Sequence, residues 1–188
     1  KVGHKTFPPI TFLFSPENPL DFPMSKVLYG EAPVFQSAVQ RCEEIERSLT
    51  NEPVIETLYA PGGPPDTSSK SRIRAVAAFS LQYAMSELLR SWNVRPTIVY
   101  GEGVGECVAA VVAGIVDLEE GLRLVLRRGG EIFASEEKEI HYQKPKIAMV
   151  ASLTGCLVGV EHPISSEYWD RQSREPANGA MAVRTMDR

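Results

Sequence analysis

The sequence is short of the residues that build metal centres, disulfide frameworks and membrane spans. It holds three cysteines and three histidines in 188 residues. Cys42, Cys107 and Cys156 are odd in number and share no paired spacing, which argues against a disulfide framework and points to a reducing, cytoplasmic setting. His4, His141 and His162 lie far apart. No His/Cys/Asp/Glu cluster has metal-ligand spacing, so neither a metal nor a cofactor is expected. Basic residues are not in excess: 20 Lys and Arg face 24 Asp and Glu, for a net charge of −4. That balance argues against a nucleic-acid surface. No apolar run has the length of a membrane span, and no signal peptide is expected.

What is present is an ordinary globular composition, 43% hydrophobic and 23% charged, in a chain long enough to bury a core. Residues 1–9 read as a lead-in linker and residues 10–188 as one domain. Ile10 to Phe14 is apolar almost throughout and predicts a strand buried on both faces. Ser15-Pro16-Glu17-Asn18-Pro19 ends it with turn residues. From Met24 or Pro33 to Leu49, the apolar positions Val34, Phe35, Ala38, Val39, Cys42 and Ile45 recur at helical spacing. Residues 61–69, Pro-, Gly- and Ser-rich, read as a surface loop. Ile73 to Leu89 returns to a helical pattern that Pro96 keeps from continuing. Leu118 to Arg128 predicts a further helix, N-capped by Asp117 and carrying Arg127 and Arg128 in its last turn. Glu136-Glu137-Lys138-Glu139 reads as solvated surface. Lys146 to Ser152 predicts a core strand, Leu157 to Val160 a short returning strand, and Ser166 to Thr185 a closing helix interrupted near Pro176 and Gly179. Helices alternating with widely spaced strands place the chain in the α/β class with a mainly parallel sheet.

The centre of the sequence is Thr97 to Cys107. A β-branched run leads into glycines at every second position (Gly101, Gly103, Gly105), and a small-residue helix follows. Strand, sharp turn and helix is the setting of the nucleophile elbow, G-x-S-x-G. Here the middle position is Gly103, so the elbow has no nucleophile. The glycines do not fit a phosphate cradle, because Glu102 and Glu106 would repel an anion at the helix N-terminus. They read instead as permitting a tight turn and close packing. Glu106 reads as a capping or buried partner. Cys107 sits near the positive end of the helix and is the one alternative nucleophile, although a small buried helix residue is the simpler reading.

The ordered blocks of this chain resemble the acyltransferase domain of modular polyketide synthases and the related malonyl transferases of fatty-acid synthesis. The blocks are Pro33-Val34-Phe35 with Arg41-Cys42, Ala78 to Ala84, Arg90 to Pro96, the glycine elbow with Glu106, Ala113 to Glu120, Leu122 to Val125, Ser152-Leu153-Thr154-Gly155, and Tyr168 to Pro176. The resemblance implies a hydrolase-like large subdomain. It also marks what is absent. The family elbow reads Gly-His-Ser-x-Gly-Glu, where this chain has Gly101, Glu102, Gly103, Val104, Gly105 and Glu106. Where the family has a Gly-Gln-Gly-Ser-Gln loop, whose glutamine helps hold the oxyanion hole, this chain has Phe14 to Pro19. Its glutamine-proline pair is Ala75-Val76. Its general-base histidine follows a ferredoxin-like subdomain, and a folded subdomain needs roughly 50 residues. Residues 129–144 are too few, so that subdomain is expected to be deleted. The stretch is expected to bridge the gap near the carboxyl edge of the elbow strand, and His141 stands too close to the next strand to replace the base. Arg128 matches the arginine that pairs with the substrate carboxylate, a substrate-binding remnant.

The resemblance therefore implies a non-catalytic scaffold or docking domain of an assembly line served by a trans-acting acyltransferase. Its partners would be an adjacent ketosynthase domain and linkers, a trans-acting acyltransferase or an acyl carrier protein. The alternatives are a divergent acyltransferase or hydrolase using Cys107, and a vestigial spacer.

Overall fold

The computed structural model describes residues 9–16, 22–50, 70–128 and 139–187. The expected surface loop at 61–69 and most of the expected 129–144 bridge lie outside the described residues. Strand β1 (Thr11–Phe14) is followed by α1 (Phe22–Glu31), α2 (Pro33–Thr50) and α3 (Lys70–Ser91). Strand β2 (Ile98–Gly101) then leads into α4 (Val104–Ala113) and α5 (Leu118–Arg128). Strand β3 (Ala148–Val150), α6 (Ser166–Gln172) and α7 (Gly179–Met186) complete the order. The three strands form one parallel sheet in the order β1-β2-β3. Thr11 pairs with Ile98 and Ile98 with Ala148, so the central strand β2 delivers the elbow from the middle of the sheet.

The core lies between the sheet and the helices that cross over it. Phe35, Val39 and Cys42 of α2 are wholly buried, as are Val76, Phe79 and Ala84 of α3 and Val99 of β2. Helix α4 is almost entirely buried, and it is made of small residues for that reason: Cys107, Ala109, Ala110 and Ala113 let it lie close to the strands. Close approach is carried furthest at its first turn. A Cβ on Gly101 would come within 2.2 Å of the Gly105 carbonyl oxygen, and one on Gly105 within 2.4 Å of the Phe14 oxygen. Only glycine admits that approach. Helix α5 begins with reciprocal bonds: the Glu120 amide donates to Asp117 Oδ1 at 2.8 Å and the Asp117 amide to Glu120 Oε2 at 2.9 Å. This is a capping box built on the residue expected as N-cap.

Two expectations are corrected, one on strand β1 and one on Leu157 to Val160. Strand β1 is not buried on both faces. It is an edge strand, with Phe12 and Phe14 in the core and Leu13 68% exposed. Of the two helix starts offered by the sequence, Pro33 is the one that begins α2, and α1 is a separate helix before it. The closing helix is interrupted where expected, near Pro176 and Gly179, with Ser165 and Asn178 capping α6 and α7 through bonds from the Tyr168 and Met181 amides. Leu157 contributes one antiparallel bridge to Val150 rather than a strand. The described part of the bridge, from residue 139 onward, runs beside α5. Its Gln143 amide, and the Lys146 amide just beyond it, donate to the Ile115 and Ala113 carbonyls, at the end of α4 remote from the elbow. Among the described residues, no helix is long and apolar enough to cross a membrane, and no group of His, Cys, Asp and Glu is gathered for a metal ion.

Candidate functional site

Strand β2 ends at Gly101, Glu102 makes the bend, and Gly103 stands at the apex with φ 56° and ψ −123° before α4 begins at Val104. An L side chain rarely adopts that conformation, and it is the strained turn that exposes a nucleophile in hydrolase-like folds. Here the apex has no side chain. It is held by its carbonyl, which accepts from the Glu106 amide at 3.3 Å and from Gln172 Nε2 at 3.2 Å. The Gly105 amide donates to the Glu102 carbonyl at 2.8 Å, closing the bend. Pro16 faces the apex: a Cβ built on Gly103 would lie 2.8 Å from its Cβ.

The two elbow carboxylates are both committed. Glu102 accepts the Tyr100 hydroxyl at 2.6 Å. Burial first, and then this acceptor, push the Tyr100 phenol well above its ordinary value. Glu106 is wholly buried. It accepts the Ser152 amide at 2.7 Å, the Ser152 hydroxyl at 2.5 Å and the Tyr168 hydroxyl at 2.5 Å. The Tyr168 oxygen also accepts from the Leu153 amide at 3.3 Å. Burial raises the Glu106 carboxyl above its usual range against the lowering effect of these donors. Glu106 thus ties the first turn of α4 to the loop after β3 and to α6. Three sequence blocks far apart in the chain converge on one carboxyl group. Sequence reasoning identified the blocks and missed their meeting, which only the order of the strands creates.

Cys107 stands one residue beyond and is completely buried. Desolvation pushes its thiol up to about 12, overriding the nearby Arg128 charge. Neither described histidine joins the elbow. His141 faces Glu120 in the first turn of α5 at 3.4 Å, and His162 is exposed on a turn closed by the Gly159 amide on its carbonyl.

Arg128, the last residue of α5, lines a small cavity of about 80 Å³ with Tyr142, Ser166, Trp169, Asp170 and Ser173. Its Nη1 is buried with no hydrogen-bond partner among the described residues, and the Trp169 Nε1 is in the same condition. A second cavity, of about 240 Å³, lies beside the edge strand between Leu13 and the Met85 and Leu89 side chains of α3, away from Arg128.

Comparison with known proteins agrees with this architecture. Residues 21–136 match the family described as "Acyl transferase domain". The PKS-NRPS hybrid synthetase ATPKS of Aspergillus niger is 34% identical over 133 residues, covering 68% of this chain and 7% of that protein. The spectinabilin polyketide synthase system protein NorC of Streptomyces orinoci is 29% identical over 159 residues, covering 84% of this chain and 7% of its own length. Among solved structures, the acyl transferase domain of ZmaA superposes with a TM-score of 0.80 at 20% identity, covering 98% of this chain and 62% of that one. The acyltransferase domain from the second module of the salinomycin polyketide synthase gives 0.81 at 20% identity, covering 97% and 61%. The chain therefore spans a small part of the synthases it matches and about three-fifths of these two solved acyltransferase chains. With the strand–glycine–helix elbow, the parallel sheet and a family match across more than half its residues, the chain belongs to the acyl transferase domain family of modular polyketide synthases.

Proposed function

We propose that this domain is a truncated, non-catalytic acyltransferase-like scaffold of a polyketide synthase, positioning neighbouring domains or recruiting a trans-acting acyltransferase or carrier protein. The observation that carries this reading is the apex itself: Gly103 occupies the strained position of a nucleophile and offers no side-chain atom. Acyl transfer through a covalent intermediate needs an activated hydroxyl or thiol, a base within reach and preorganised donors for the oxyanion. Glu106, the carboxyl group next to the apex, is spent on Ser152 and Tyr168. Cys107 is disfavoured as a relocated nucleophile by its burial and raised thiol. Residues 129–147, between α5 and β3, are too few for the ferredoxin-like subdomain of the family.

Incubation with malonyl-CoA followed by intact-protein mass spectrometry tests the reading. The expected result is an unchanged mass, and an added acyl group would overturn it. Capture of the cognate trans-acting acyltransferase or carrier protein by the immobilised domain separates recruitment from spacing. Binding supports recruitment, and its absence leaves the spacer.

The buried, unpartnered Nη1 of Arg128 favours one addition: a retained carboxylate site without chemistry. Calorimetric titration with malonyl-CoA checks it. Saturable binding abolished in Arg128→Ala is expected, and no heat in the wild type would dismiss it.

A further inference from the structure

The apex of the elbow lacks a hydroxyl and is also crowded by Pro16, which stands where a side chain at position 103 would begin. We propose that Ser15 and Pro16 form a built-in stop over Gly103, so that position 103 is barred from carrying a nucleophilic side chain by a steric lock separate from the missing nucleophile. The inference rests on the non-catalytic reading and says how firmly that state is held.

Any side chain at position 103 begins 2.8 Å from Pro16 Cβ and 3.2 Å from Pro16 Cα. The first distance is closer than real Cβ contacts come. The obstacle is a ring fused to the backbone, which cannot swing aside as a flexible side chain could. The stop is also pinned. The Ser15 amide donates to Gln82 Oε1 at 2.7 Å, and Gln82 Nε2 donates to the Ser15 carbonyl at 3.1 Å. Gln82 is nearly buried and is itself oriented by a bond from Nε2 to the Ala78 carbonyl at 3.1 Å. It acts on Ser15 as a neighbouring strand would, satisfying both backbone groups at once. Just upstream, the Phe14 carbonyl accepts the Glu102 amide at 3.2 Å. The apex has no room to retreat, because Gln172 holds the Gly103 carbonyl from α6 and the Phe14 and Ser15 carbonyls sit directly over Gly105. The identity of residue 103 is therefore coupled to that of residue 16.

The test uses the full chain carrying Cys156→Ser, which leaves only the buried Cys42 and Cys107 as native thiols. Into it are placed Gly103→Cys alone, with Pro16→Ala, or with Pro16→Gly. Alkylation by iodoacetamide, mapped by peptide mass, and melting temperature are measured for each. Pro16→Ala keeps the offending Cβ and Pro16→Gly removes it. The expected result is alkylation at position 103 at least tenfold faster, with a higher melting temperature, in the Pro16→Gly combination than in the other two. Equal rates and equal melting in all three would overturn the stop. If only the Pro16→Gly combination folds, the clash is with Pro16 and the proposal stands; if none folds, it falls. Acylation of the wild type by malonyl-CoA would instead sink the non-catalytic reading, so the two failures are distinct.

Discussion

Glu106 shows how one residue of an elbow can serve the fold. Its carboxyl group takes three donors in a site without solvent, and removing it strands all three. Each stranded donor costs about 1–3 kcal/mol, so Glu106→Ala is expected to lower stability by about 3 kcal/mol or more in urea denaturation. The isosteric Glu106→Gln isolates the charge. Because burial raises the folded-state carboxyl above its unfolded value of about 4.5, the folded state holds that proton more tightly. The stabilisation from this proton is fully present below the unfolded value and is lost as pH rises through the raised folded value. Melting temperatures of wild type and Glu106→Gln measured across pH are therefore expected to diverge. The wild type should lose stability relative to the variant as pH climbs from about 4.5. Parallel curves would show that the Glu106 carboxyl titrates alike in the folded and unfolded states, and so that burial does not raise it.

At the scale of elements, the junctions respond to local chemistry and the sheet to non-local order. The capping box at α5 is local, and Asp117→Ala is expected to cost about 1 kcal/mol, read as a lower denaturation midpoint with an unchanged m-value. The turn from β2 into α4 is tighter. Gly101→Ala puts a methyl group 2.2 Å from the Gly105 oxygen. It is expected to cost more than the roughly 1–3 kcal/mol of ordinary overpacking, because the obstacle is backbone, and circular dichroism melting checks it. These junctions were legible in the sequence: the glycines at every second position, Asp117 before an amphipathic run, and small residues through α4. What was not legible depends on neighbours distant in the chain. Leu13 sits in an apolar run and is exposed, because β1 lies at the edge of the sheet. Pro33 fits either the interior of one helical pattern or the start of a second, and its role as first residue of α2 emerges only with α1 in place before it. Glu106 was identified as a buried partner, but Ser152 and Tyr168, which make it one, follow it by 46 and 62 residues.

For the molecule as a whole, acyl transfer is a property of several parts acting together, and that decides what a single reversion can do. When the members of a catalytic set act as a unit, removing one costs nearly as much as removing all, and by the same token restoring one recovers little. Gly103→Ser would supply a hydroxyl at the right bend, but Pro16 crowds its Cβ. Of the described histidines, His141 is held near Glu120 at the far end of α4, and His162 takes part in none of the elbow's hydrogen bonds. Glu102 and Glu106 are occupied by Tyr100, Ser152 and Tyr168. Among the described residues, a serine there meets no histidine and no uncommitted elbow carboxylate, and an unactivated hydroxyl is a weak nucleophile. Gly103→Ser, and Gly103→Ser with Pro16→Gly, are therefore expected to show no acyl adduct by intact mass after incubation with malonyl-CoA. Rapid acylation of Gly103→Ser alone would mean that a base and oxyanion donors survive around the elbow, and that the loss of function rests on one residue.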